Sequence, residues 1–369
     1  MKKLLLVSFL AWSLSSLCLA QSKALFPIER DGKTGYIDNT GKIVIKPQFD
    51  EGRWFSEGLA PVLIDDEWGY IDETGKIVIK PQFYSASGFS EGIAEVGVYF
   101  EKRKIINDMI GYRSYIDRKG NFITKQRFGV AFGFSEGLAH ILTEDNKEAF
   151  IDKTGNIVFY FDTYGSEFKD GLALFKTRGN MPDSRAGYID KSGKIAIEAK
   201  YRNGEDFSEG LACVYSDKGA GFIDPKGRVA IDFKFTYCRS FSEGLAAVYV
   251  NDKYGFIDKT GKMIIEPQFA EVQPFSDGVA VVRVIENPES SGKEERFKQG
   301  DNIVAVKEGL FGVIDKTGKF ILPAKFTQLH DFSDGLALVN LSDNYLVHGN
   351  TAYWGYINKA GKIVWKSFK

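Results

Sequence analysis

The stretch that decides the fold reads Trp68-Gly69-Tyr70-Ile71-Asp72-Glu73-Thr74-Gly75-Lys76-Ile77-Val78-Ile79-Lys80-Pro81-Gln82-Phe83, followed after a short spacer by Phe89-Ser90-Glu91-Gly92-Ile93-Ala94. Two short runs rich in β-branched and aromatic residues flank Asp72–Gly75, the grammar of a tight hairpin in which the Asp caps the turn and the Gly takes positive φ. Proline cannot donate to a ladder, so Pro81, like Pro47, Pro267 and Pro323 in matching places, is expected to stop the second strand. Phe89-Ser90-Glu91-Gly92 reads as a second turn: the Phe anchors it, the Ser bonds locally, the Gly supplies the unusual φ, and a third strand follows.

Working outward, the first phrase recurs from Gly35, Gly69, Ser114, Ala149, Gly187, Gly221, Gly255, Gly312 and Gly355. The second recurs from Phe55, Phe89, Phe134, Phe168, Phe207, Phe241, Phe275 and Phe332, 20 residues after its partner except for 19 after Ala149. From that Phe to the next copy the distance runs 14, 25, 15, 19, 14, 14, 37 and 23 residues. All insertions therefore fall at one point of the unit, and the long ones occupy 99–113, 286–308 and 341–353. The second is expected to be a solvated polar flap. Framed as third strand, variable loop and hairpin, residues 21–369 divide into about nine three-stranded β-meander repeats with nothing left over, the first opening at Ala24 and the last ending at Trp365. Ile43-Val44-Ile45 carries apolar groups on both faces, which implies sheets stacked between neighbours. The fold class is all-β, a tandem array in which each unit leans on the next. Propeller blades commonly have four strands, so an open, twisted, solenoid-like array is expected, with a closed propeller-like ring as the alternative.

With 48 basic against 49 acidic side chains, the chain has no excess field to concentrate nucleic acid. Met1-Lys2-Lys3 and the apolar run Leu4–Leu14, with Cys18-Leu19-Ala20 before a cut, read as a signal peptide over residues 1–20. No later run is long enough for a spanning helix. The expected location is outside the cytoplasm, periplasmic or extracellular. There Cys213 and Cys238, in neighbouring units, form a candidate disulfide; the alternative is two buried small side chains.

The phrases resemble the WG (KWG) repeats of bacterial proteins, as in Trp68-Gly69-Tyr70-Ile71-Asp72 and Trp354-Gly355-Tyr356-Ile357-Asn358. The resemblance spans nearly all of residues 24–368. Thr34, Ala186, Ala220, Tyr254 and Phe311 replace the namesake Trp, and Ser114 and Ala149 replace the Gly, which implies local irregularity in those copies. The resemblance implies a binding or structural module and carries no catalytic motif.

Asp38, Asp72, Asp117, Asp152, Asp190, Asp224, Asp258 and Asp315 recur with the turn, as turn caps do and a catalytic group does not. Glu57, Glu91, Glu136, Asp170, Glu209, Glu243, Asp277 and Asp334 are read the same way. His140, His330 and His348 stand in no metal or triad spacing, and no nucleophile motif or phosphate loop is present. No catalytic, metal or cofactor residue is expected. Tyr99, Phe100, Trp68, Tyr345, Tyr353 and Trp354 are candidate partner-binding residues, because rigid aromatics beside variable loops suit recognition of a protein or a cell-envelope glycan. The expected function is an exported, non-enzymatic binding or scaffolding module. The alternatives are a secreted hydrolase whose site is built from non-repeating residues, and a purely structural spacer.

Overall fold

The computed structural model describes residues 24–367 except 101–110, 162, 164, 178, 180–182, 286–294, 300, 301, 307, 308 and 342–352, and gives backbone alone for 285, 295–299 and 302–306. The expected leader, 1–20, and Tyr345 lie outside the described residues. Every regular element among those described is a β-strand. Module one comprises Leu25–Arg30, Lys33–Asp38 and Ile43–Phe49, and module two comprises Leu59–Ile64, Glu67–Asp72 and Ile77–Phe83. Modules three to eight open with Ile93–Tyr99, Leu138–Thr143, Leu172–Lys176, Ala212–Ser216, Leu245–Val250 and Val279–Ile285; module nine comprises Leu336–Asn340, Trp354–Asn358 and Ile363–Lys366. Each is an antiparallel meander. A two-residue strand such as Glu51–Gly52 or Tyr237–Cys238 adds a further edge to several of them.

The first and second strands of a regular module join through two residues in the left-handed region, Asp31-Gly32, Asp65-Asp66 or Asn251-Asp252. This is the geometry that matches strand twist in a two-residue hairpin. The insertions replace this turn, since Tyr99 pairs with Gly111, Ile285 with Gly309 and Asn340 with Trp354. Where a polar flap was expected, Glu295–Gln299 and Asn302–Val306 pair as a hairpin of their own.

The third strand departs from expectation in two ways. It does not stop at its proline: Ile77–Phe83 runs through Pro81, and its register against the second strand shifts between Trp68 and Tyr70. The irregular edge strand needs no donor there, so proline is tolerated, and the displaced backbone lies over Gly69, where a Cβ would come within 2.6 Å of the Ile79 carbonyl oxygen. Nor is the strand covered on both faces. Ile79 is buried while Ile77 and Val78 are exposed, and the same split separates Ile45 from Ile43 and Val44, because the strand forms the outer edge of its sheet.

The core sits between modules rather than within them. Tyr70, Ile79 and Phe83 of module two pack with Phe89, Val96 and Ile116 on the side of module three. Phe26, Ile28 and Ile37 of module one share a cluster with Leu336 and Tyr356 of module nine. The Tyr356 hydroxyl donates to the Pro27 carbonyl at 3.0 Å, and its ring lies 5.5 Å from Phe26. On the point left between open array and ring, the structure takes the ring. An open array exposes an apolar face at each end, and closure buries both. The Cys213 and Cys238 sulfurs are bonded across 25 residues of chain, tying module six to the short strand that leads into module seven.

Candidate binding cleft and the joints between modules

Two sets of recurring acids do different work. Asp72 Oδ1 accepts the Thr74 amide at 2.9 Å, its hydroxyl at 2.6 Å and the Lys76 amide at 3.1 Å, closing its own hairpin. Asp152, Asp258 and Asp315 repeat the arrangement, and Asp38, Asp117, Asp190 and Asp224 close their turns through matching amides. The second set was expected to cap its own turns and instead bridges modules. Glu57 accepts the Gly92 amide, Glu91 that of Gly137, Glu136 that of Gly171, and Asp170 that of Gly210. Glu209, Glu243 and Asp277 continue the chain to Gly244, Gly278 and Gly335. The adjoining serines also reach across: the Ser90, Ser135, Ser208, Ser242 and Ser276 hydroxyls donate at 2.7 Å to the carbonyl of the next module's phrase Phe. To present these groups outward, the acid as well as the glycine adopts positive φ, as at Glu91 and Gly92. A hairpin lysine completes most joints, with Lys153 on Glu91, Lys191 on Glu136, Lys259 on Glu209, Lys316 on Glu243 and Lys359 on Asp277.

Modules three and four break this regularity. Where Gly gives way to Ser114 and Ala149, the residue before it is charged: Arg113 and Glu148. The facing strand carries a complement at equivalent positions, Glu95 and His140. Arg113 Nη1 lies 2.8 Å from Glu95 Oε1, and His140 Nε2 lies 2.6 Å from Glu148 Oε2. Glu95 is buried and also accepts the Ser87 hydroxyl at 2.7 Å, while Arg113 bonds Ser85. His140 is sandwiched between Phe132 and Phe150, at 5.2 and 5.1 Å, and burial lowers its pKa against the opposing pull of Glu148. With its regular bulge lost, module three pairs through Phe128–Ala131 with module four, and the two share one seven-stranded sheet.

A cleft of about 370 Å³ opens here, lined by Arg53, Ser85, Ser87, Glu95, Arg113 and the Gly129–Ala131 backbone. Arg53 spans its floor, its guanidinium 4.3 Å from the Trp68 ring centre and donating to the Ala86 carbonyl. Next to the cleft, at the base of the first insertion, Tyr84 and Tyr99 meet at 5.5 Å and Phe100 and Tyr112 at 6.0 Å. Arg113 covers Tyr84 and Arg127 covers Tyr112. Burial raises the Tyr84 pKa. Glu95 has its oxygens taken by Arg113 and Ser87, so its role is to hold Arg113 in place.

Of the aromatics singled out from sequence, Tyr99 and Phe100 thus stand together beside a cleft. Trp68 is corrected: it is buried beneath Arg53 and cannot greet a partner. Trp354 is half-buried against His330 at 5.6 Å, with half-buried Tyr353 beside it. Sequence reasoning missed Glu95, Arg113, His140 and Glu148. Their signal was a coincidence of departures, a charge at two repeat positions that are otherwise apolar or small, in the two copies lacking the Gly. Among the described residues no three His, Cys, Asp or Glu side chains converge to hold a metal, and no helix is long and apolar enough to cross a membrane.

A ring of small sheets locked by recurring acid, serine and glycine contacts defines an all-β tandem-repeat protein. The WG containing repeat model matches residues 35–68, 68–98, 114–146, 187–218, 221–254, 254–284 and 311–345, more than half of the chain, and the chain belongs to that family. Ala149 falls outside those matches, in keeping with its departures. No curated protein matches the chain. Among solved structures it is similar to one described as a eukaryotic initiation factor, with 12% identity and a TM-score of 0.61 over 94% of this chain and 96% of that one. At that identity the likeness concerns fold alone. BamB from Moraxella catarrhalis (10% identity, TM-score 0.41, 79% of this chain and 96% of that one) and the dihydro-heme d1 dehydrogenase NirN (13%, 0.41, 82% and 73%) are more distant.

Proposed function

We propose that this chain is an exported, non-enzymatic binding module whose ring holds the module-three cleft and its aromatic rim out to a protein partner. The observation that carries this is the grouping of Tyr84, Tyr99, Phe100 and Tyr112 with Arg113 and Arg127 where the scaffold departs from its repeat. Tyrosine and arginine on rigid backbone are the side chains that carry most energy in protein interfaces. Of the two partner classes expected, a sugar needs an open ring face to stack on. Guanidinium groups cover the faces of Tyr84 and Tyr112, which favours a protein. Export rests on the basic start and the apolar run Leu4–Leu14.

The test is co-purification from the native cell with Tyr99→Ala and Tyr112→Ala combined. The reading predicts a partner lost from the variant while thermal unfolding stays within about 2 °C of the parent. Undiminished capture would overturn it and leave the spacer as the better account. Fractionation tests export directly, the reading requiring a chain that begins at Gln21 outside the cytoplasm.

A further inference from the structure

Nine modules make nine junctions, yet the Phe-Ser-acid-Gly phrase occurs eight times. The junction without one is the seam where module nine meets module one. A cavity of about 650 Å³ lies there, lined by Ala24, Phe26, Trp54, Phe55, Glu57, Gly58, Glu73, Ser333 and Asp334. These are the groups a ninth phrase would touch. The Gly58 amide faces no carboxylate, whereas the seven phrase glycines that follow it each bond one. Asp334 accepts only its neighbour Ser333, at 3.3 Å, and no glycine amide.

The register says what stands in that place. Leu25 opens module one as Leu59 opens module two, so Gln21-Ser22-Lys23-Ala24 aligns with Phe55-Ser56-Glu57-Gly58. The serine is kept, the acid has become lysine, and the Phe has become Gln. Both changes have a complement in the described residues. The acid that opens a module pairs with the hairpin lysine of the following module, as Glu91 does with Lys153 and Glu209 with Lys259. For module one the corresponding hairpin residue is Glu73, so the charges are exchanged. Likewise Phe26 occupies the position held by Ala60, Ala94 and the matching alanine of each later module. Its ring fills space beside Tyr356 and Trp54, at 5.5 and 5.9 Å, where a phrase Phe would pack.

We propose that Gln21-Ser22-Lys23 closes the ring as a ninth, charge-reversed joint, with Lys23 on Glu73 and the Ser22 hydroxyl on the Phe55 carbonyl. Three carboxylates, Glu57, Glu73 and Asp334, line a cavity whose described lining offers no lysine or arginine, and the segment brings one cation to it. Covalent attachment to Ala24 gives the segment a high local concentration.

A charge-exchange cycle in the full chain tests this. Lys23→Glu and Glu73→Lys should each lower the unfolding midpoint by about 1–3 °C, and the double variant, which recreates the acid-to-lysine polarity of the other joints, should recover it. The recovery should vanish in 1 M salt. Deleting residues 21–23 should increase quenching of tryptophan fluorescence by acrylamide, since Trp54 borders the cavity. Additive effects in the cycle, or a deletion that leaves quenching unchanged, would overturn the proposal and leave the seam for another occupant.

Discussion

The glycine of each WG pair is required by backbone, not by a turn. At Gly69 an added Cβ would meet the Ile79 carbonyl at 2.6 Å and the Pro81 nitrogen at 2.7 Å, both backbone atoms that cannot swing away. Gly69→Ala is therefore expected to destabilise by about 2–4 kcal/mol, measured by denaturant unfolding, while Gly129→Ala, with nothing nearer than 3.7 Å, should cost far less. The neighbouring Trp position varies freely because its side chain packs beside a cross-strand aromatic, Trp68 against Phe83 and Ala220 against Phe235, and size is traded between the two. Two pH effects follow from single residues. His140 has its pKa lowered by burial, so the unfolded chain binds the proton more readily, and stability should fall as pH drops below about 6.5; His140→Gln should flatten that slope. Asp72, Asp152, Asp258 and Asp315 have pKa values lowered first by the Thr hydroxyl two residues on. Their contribution is present above the unfolded value near 4 and is lost below it, so a second, steeper loss of stability is expected under acid.

At the scale of the element, the turn chemistry was legible from residue types alone: Asp-x-Thr-Gly closes a hairpin by contacts within five residues, and the sequence contains all of them. The joints were not legible, because an acid that caps its own turn and one that reaches the next module are the same letters in the same spacing. Only the fold, by setting successive phrases side by side, decides between them. The strand prolines were misread for a related reason. Pro81 breaks a flat central strand, but the third strand is an outer edge with a bulge, where the missing N–H costs nothing. Removing one joint hydroxyl with Ser242→Ala leaves the Phe275 carbonyl without its 2.7 Å donor and is expected to cost about 1 kcal/mol in chemical denaturation. Replacing Cys213 and Cys238 by alanine frees a 25-residue loop in the unfolded chain and should cost about 3 kcal/mol, an effect that reductant reproduces in the parent.

Over the whole molecule, the number and order of modules were readable, because fixed spacing between conserved phrases demands a fixed unit. The candidate cleft was half readable. Tyr99 and Phe100 drew notice as aromatics beside an insertion, whereas the buried Glu95–Arg113 pair needed the register of two strands to be seen as a pair. Closure was unreadable from the repeat itself, since each interface looks alike from within. The cues lay in the exceptions at the ends, Phe26 for alanine and Tyr356 with no phrase Phe to follow it, and the two meet in the structure at 5.5 Å. The most direct test of the ring is the distance between spin labels at the exposed positions Asp31 and Lys362, in modules one and nine. Closure predicts a single population below about 35 Å. Sheets stacked about 10 Å apart through eight steps would place the labels about 80 Å from each other, and that result would contradict the account.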